Sequence, residues 1–134
     1  MKILIVDDEE ISRDKVSNLL SEFGECTAAE EGSDALCLFG FAHGEGAHFD
    51  LVTMDIDMPG LRGQDVVKAI RRWESKRVEL GADPGRVKIV MLTSMSDSHS
   101  IFVSYRHLCD DYIVKPITPE KIWSSLVKVG LISS

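Results

Sequence analysis

Leu51-Val52-Thr53-Met54-Asp55-Ile56-Asp57-Met58-Pro59-Gly60 is a short, largely apolar run that breaks into two aspartates and then a turn. A run this short, bounded by turn residues, reads as a buried parallel strand. Three more stretches share its form. Ile3-Leu4-Ile5-Val6 runs into Asp7-Asp8, Ile89-Val90-Met91-Leu92 into Thr93-Ser94, and Tyr112-Ile113-Val114 into Lys115-Pro116. In an open α/β sheet the carboxyl ends of such strands line one edge, and ligands bind in the crevice there. Three carboxylates, a hydroxyl and an ammonium would then converge on one pocket. Carboxylates so close repel unless a cation lies between them, and a hard ion such as Mg2+ takes oxygen ligands. The remaining groups suit a phosphate.

Outward from these runs, strands alternate with helical patterns. A helix carrying Val16, Leu19, Leu20 and Phe23 follows Asp8, with Gly24 placed to close it as a left-handed cap. Glu25 to Ala29 reads as a weak edge strand. Gly32-Ser33 starts a helix carrying Ala35, Leu36, Leu38, Phe39 and Ala42, and residues 43–48 (His-Gly-Glu-Gly-Ala-His) read as a loop. A long helix with Val66, Val67, Ile70 and Trp73 stops before the turn signal at Gly81-Ala82-Asp83-Pro84-Gly85. Ser98 to Leu108 reads as another helix, and Thr118-Pro119 starts the last, with Ile122, Leu126 and Val129 inward. Five strands and five helices in strict alternation predict a doubly wound parallel sheet.

The chain is 134 residues with 44% hydrophobic residues and net charge −7, which suits one folded domain over residues 1–134. No basic cluster is longer than the pair Arg71-Arg72, so direct nucleic-acid binding is not expected. No segment has the length and apolarity of a membrane span, and the apolar start is broken at once by Asp7-Asp8-Glu9-Glu10. Cys26, Cys37 and Cys109 are odd in number and widely spaced, and read as reduced thiols acting as small buried hydrophobes. A cytoplasmic protein is expected.

Asp7-Asp8, Asp55 with Met58-Pro59-Gly60 and Gly63 behind it, Thr93, and Lys115-Pro116 together resemble a response-regulator receiver domain. The resemblance covers essentially the whole chain, with the motif positions in receiver-like order and spacing. It implies a flavodoxin-like (βα)5 fold with strand order 2-1-3-4-5, which sets the ends of the first and third strands side by side. It implies that Asp55 takes a phosphoryl group from a phosphohistidine on a sensor histidine kinase or a histidine phosphotransfer protein. Mg2+ would be held by Asp8, Asp55 and the main-chain carbonyl of Asp57, with Asp7 acting through a bound water. Lys115 and Thr93 would contact phosphate oxygens, and Tyr112 would turn as Thr93 moves. A cis Lys115–Pro116 peptide is frequent in the family. The chain stops just past its last helix, so a stand-alone receiver signalling to a downstream protein target is expected. Promoting its own phosphorylation and slow dephosphorylation, it would turn over no external substrate.

Each residue also has a plainer account. Asp7 or Asp8 could cap a helix, Asp57 could be a turn residue, and Lys115 could snorkel from a strand end. Tyr112 could be ordinary strand packing. Two rivals compete with the whole. A haloacid-dehalogenase-type Mg2+ phosphatase also uses Asp-x-Asp at a strand end, but there Gly-Thr usually follows and the acidic pair comes after the lysine. A pseudo-receiver that is never phosphorylated would not need the intact acids, Thr93 and Lys115. The histidines receive no ligand role: His43 and His48 flank Glu45 in a glycine-rich loop, and His99 and His107 read as solvated.

Overall fold

A computed structural model describes residues 1–56, 63–81, 85–94, 102, 103 and 105–133. Five strands, β1 (Lys2–Val6), β2 (Glu25–Ala29), β3 (Leu51–Asp55), β4 (Lys88–Thr93) and β5 (Asp111–Val114), pair in the order β2-β1-β3-β4-β5, all parallel. The described helices are α1 (Glu10–Leu20), α2 (Gly32–Gly44), α3 (Gly63–Glu79) and α4 (Pro119–Lys128). Between β4 and β5, Phe102, Val103 and Tyr105 are helical, and the rest of the helix expected from Ser98 lies outside the described residues or, at 106–108, forms a turn. The order is the doubly wound one expected.

Alternation of side chains along each strand divides the core into two layers. Leu4, Val6, Val52, Met54, Ile89 and Met91 face α2 and α3, whose Phe39, Val66, Val67 and Ile70 complete that layer. Ile3, Ile5, Leu51, Val90, Leu92 and Ile113 face the other side, against Val16 and Leu20 of α1 and Ile122 and Leu126 of α4. A sheet covered on both faces needs strands that are apolar throughout, which is why β1, β3 and β4 read as unbroken runs. At the edge, β2 is only partly buried and correspondingly weak in sequence. Thr118 caps α4 through its side chain, accepting from the Lys121 amide at 3.2 Å, with Pro119 in the first turn.

Three local expectations are corrected. Gly24 is not a left-handed cap: α1 ends at Leu20, Phe23 lies beyond it, and Gly24 does not have a positive φ. A Cβ there would fall 2.9 Å from the Met1 carbonyl carbon, so Gly24 is needed for close approach to the chain start. His43 and Gly44 belong to α2, because the ladder continues through the Glu45 amide to the Phe41 carbonyl at 3.0 Å. Of the cysteines only Cys109 is a buried hydrophobe, its thiol pushed up to about 12 chiefly by burial, whereas Cys37 is exposed. Among the described residues no helix is long and apolar enough to cross a membrane.

Candidate functional site

The topology brings β1 and β3 together at their carboxyl ends, with Val6 opposite Met54. Asp7, Asp8 and Asp55 therefore meet: one carboxylate oxygen from each lies within 4.8 Å of the others. Asp7 and Asp55 are buried and Asp8 is exposed. On the next strand, Thr93 is buried at the end of β4, and its carbonyl accepts from the Lys115 amide at 2.8 Å. That bond aligns the residue after β5 with the site, and Lys115 Nζ lies 3.5 Å from Asp55 Oδ1. The Lys115–Pro116 peptide is cis. Behind the strand end, a Cβ on Gly63 would fall 2.6 Å from the Asp55 carbonyl oxygen, so α3 starts directly against the Asp55 backbone.

Of the expected site residues, Asp7, Asp8, Asp55, Thr93 and Lys115 gather at this edge. Tyr112 lies two residues into β5, half-buried, its ring centroid 5.0 Å from that of Phe102. Asp57, with Met58, Pro59 and Gly60, is outside the described residues. Sequence reasoning missed Arg13, which donates to the Asp7 carbonyl at 3.0 Å from the next turn of α1. Its only signal was its place on the helix following two acids.

Asp7 tests whether a cation fits. Its Oδ1 accepts from the Glu9 amide at 2.9 Å, while its Oδ2 is buried with no hydrogen-bond partner among the described residues. Burial pushes the carboxyl up to about 6, with the Asp55 charge adding to the rise and the Glu9 amide and Lys115 opposing it. An orphaned carboxylate oxygen within reach of two further carboxylates is a donor set for a hard divalent cation. The residues fit Mg2+.

The same carboxyl predicts how metal-free stability depends on pH. A carboxyl whose folded pKa lies above its unfolded value binds its proton more tightly when folded, so ionising it destabilises the fold. The penalty is absent below the unfolded value of 3.8 and complete above about 6. Asp7→Asn keeps the acceptor for Glu9 and removes the charge. In chelator at pH 7 it should be more stable than wild type by up to about 3 kcal/mol, since each tenfold difference in proton affinity is worth about 1.4 kcal/mol. Urea denaturation at neutral pH and near pH 3 would read the difference, which should all but vanish at the lower pH.

Residues 3–127 match the family model of the response regulator receiver domain. Chemotaxis protein CheY-3 of Vibrio cholerae is 32% identical over 131 residues, covering 96% of this chain and 91% of that protein. The probable transcriptional regulator ycf27 of Porphyridium aerugineum is 34% identical over 122 residues, but the chain spans only 44% of its length. Among solved structures, response regulator TrrA from Thermotoga maritima, in complex with Mg2+-BeF, is 32% identical with a TM-score of 0.74, covering 96% of this chain and 97% of that one. Fold, clustered acids and family match agree, and the chain belongs to the response regulator receiver domain family, the phosphorylation-based signalling modules of two-component systems.

Proposed function

We propose that Asp55 is the phosphoacceptor and that residues 1–134 act as a single cytoplasmic receiver domain. The observation that carries this is the pairing of a buried Asp55 with Lys115 at 3.5 Å inside a cluster of three carboxylates. An ionised Asp55 oxygen attacks phosphorus in line. The bond from phosphorus to the donor imidazole nitrogen breaks, its electron pair staying on nitrogen. Lys115, already beside Asp55, exchanges part of that pairing for a phosphate oxygen. Thr93, buried on the neighbouring strand end, offers its hydroxyl to another oxygen. Asp8 and Asp55 would hold Mg2+ directly, with Asp7 one water removed and Asp57 through its carbonyl. Bound there, the ion would neutralise charge on the transferring oxygens. The donor would be a sensor histidine kinase or a histidine phosphotransfer protein.

The product adds roughly two negative charges at a strand end, enough to draw neighbouring donors into new positions. Thr93 and Tyr112 are the coupling pair in this reading, and a downstream protein would read the face around Trp123, which is 47% exposed. The domain turns over no external substrate and loses its phosphoryl group slowly by its own hydrolysis. The test is covalent. Acetyl phosphate with Mg2+ should add one phosphoryl mass that alkaline hydroxylamine removes. Protein that takes up none, or that hydrolyses phosphate esters over many turnovers, overturns the reading.

Acceptance and readout should separate. Thr93→Ala removes a phosphate contact but not the nucleophile, so it should still be phosphorylated. Its conformational response should shrink by half or more, seen in amide chemical shifts of residues 105–114 with and without beryllofluoride. A full wild-type shift pattern would mean that Thr93 is not the coupling residue.

A further inference from the structure

His43 and His48, read from the sequence as flanking Glu45 in a glycine-rich loop, meet ring to ring. His43 occupies the last turn of α2, and the chain doubles back through an Ala47 amide bonded to the Ala42 carbonyl at 2.8 Å. This sets the His48 ring centroid 4.5 Å from that of His43. His43 Nδ1 lies 3.0 Å from the Phe39 carbonyl, an acceptor only, so Nδ1 carries the proton and Nε2 keeps a lone pair. That is how a ligating histidine is usually oriented: one ring nitrogen tied to a carbonyl, the other presented to a metal.

We propose that His43 and His48 form a transition-metal site, separate from the acidic cluster, that takes an ion such as Ni2+ or Cu2+ on two imidazoles with water completing the shell. Two imidazoles bound at right angles to one ion, at about 2.1 Å per bond, place their ring centres roughly 4.6 Å apart, the angle of tetragonal Ni2+ or Cu2+ rather than of tetrahedral Zn2+. The observed separation is of that size. The carboxyl end of α2 adds a negative dipole beside His43. Imidazole pairs prefer such metals to Mg2+, so the two sites would sort ions by ligand softness.

Trp73 gives the site a reporter, because its ring centroid is 4.5 Å from that of His43. In a Trp123→Phe background Trp73 is the remaining tryptophan. Ni2+, which does not oxidise the exposed Cys37, would be titrated with Mg2+ in excess to occupy the acidic cluster. Saturable quenching of Trp73 is expected, weakened at least about tenfold in His48→Ala. In imidazole NMR spectra Ni2+ should broaden His43 and His48 at concentrations that leave the exposed His107 sharp. Quenching unchanged in His48→Ala, no quenching at all, or equal broadening of every histidine would overturn the site. His43→Gln disturbs packing on Phe39 and Trp73, so His48→Ala is the deciding variant: it removes a ligand without opening that contact.

Discussion

Asp55→Asn should gain no hydroxylamine-labile phosphoryl mass under conditions that label the wild type fully. The substitution keeps the shape of the side chain and removes its nucleophilic oxygen anion, so the loss should be complete rather than graded. It also removes the charge that Lys115 faces at 3.5 Å and one of the two buried carboxylates in the cluster. The Asp55 charge is among the causes holding the Asp7 carboxyl high, so Asp55→Asn should relax Asp7 toward its ordinary range. The metal-free variant should then be at least as stable as wild type, and loss of labelling cannot be mistaken for unfolding. Asp8→Ala is the companion: Asp8 is exposed, so the fold should tolerate it while Mg2+ affinity falls by about tenfold or more. Full labelling of Asp55→Asn would place the phosphoryl group elsewhere. Unchanged Mg2+ affinity in Asp8→Ala would break the proposed metal site.

How much of this was legible in the sequence follows from how local each signal is. The strands were readable because a sheet buried on both faces demands unbroken apolar runs, and β1, β3 and β4 supply them. The polar residues ending those runs marked the site, since parallel strands put their carboxyl ends on one edge. The strand order came from family resemblance, because nothing in a strand names its neighbour. Gly24 misled because a glycine after a helix signals a cap and a close backbone approach equally well; only the distant Met1 carbonyl distinguishes them. The histidine-glycine segment looked like a loop by composition, yet α2 continued into it. Charged residues were the least legible. Arg71 and Glu74 sit three apart on α3, a spacing that reads as a solvated helix face, and both are buried.

Arg71→Ala should be strongly destabilising, by about 3–5 kcal/mol, because it strands the buried Glu74 carboxylate and the half-buried Asp110 carboxylate without their cation. The Arg71 guanidinium donates through Nε to the Leu108 carbonyl at 2.7 Å, through one terminal nitrogen to Glu74 at 2.8 Å and through the other to Asp110 at 3.2 Å. The two acids are further held by main-chain amides, Val87 to Glu74 and Ile89 to Asp110, both at 2.8 Å. One side chain thus ties α3 to the start of β4 and to the turn that leads into β5. Lysine cannot replace it: a single ammonium lacks the planar fork that reaches three acceptors, so Arg71→Lys should recover only part of the loss. Glu74→Gln keeps an acceptor for Val87 and removes one uncompensated charge, so Arg71→Ala with Glu74→Gln should be less unstable than the sum of the two single changes. Urea denaturation of the four proteins measures this coupling, and a loss below about 1 kcal/mol in Arg71→Ala would show the brace to be dispensable. The brace sits at the amino ends of β4 and β5, the edge of the sheet opposite Thr93 and Lys115. Whatever fraction of Arg71→Ala remains folded should therefore still accept phosphate on Asp55. Stability and phosphoryl chemistry then depend on opposite ends of the same two strands.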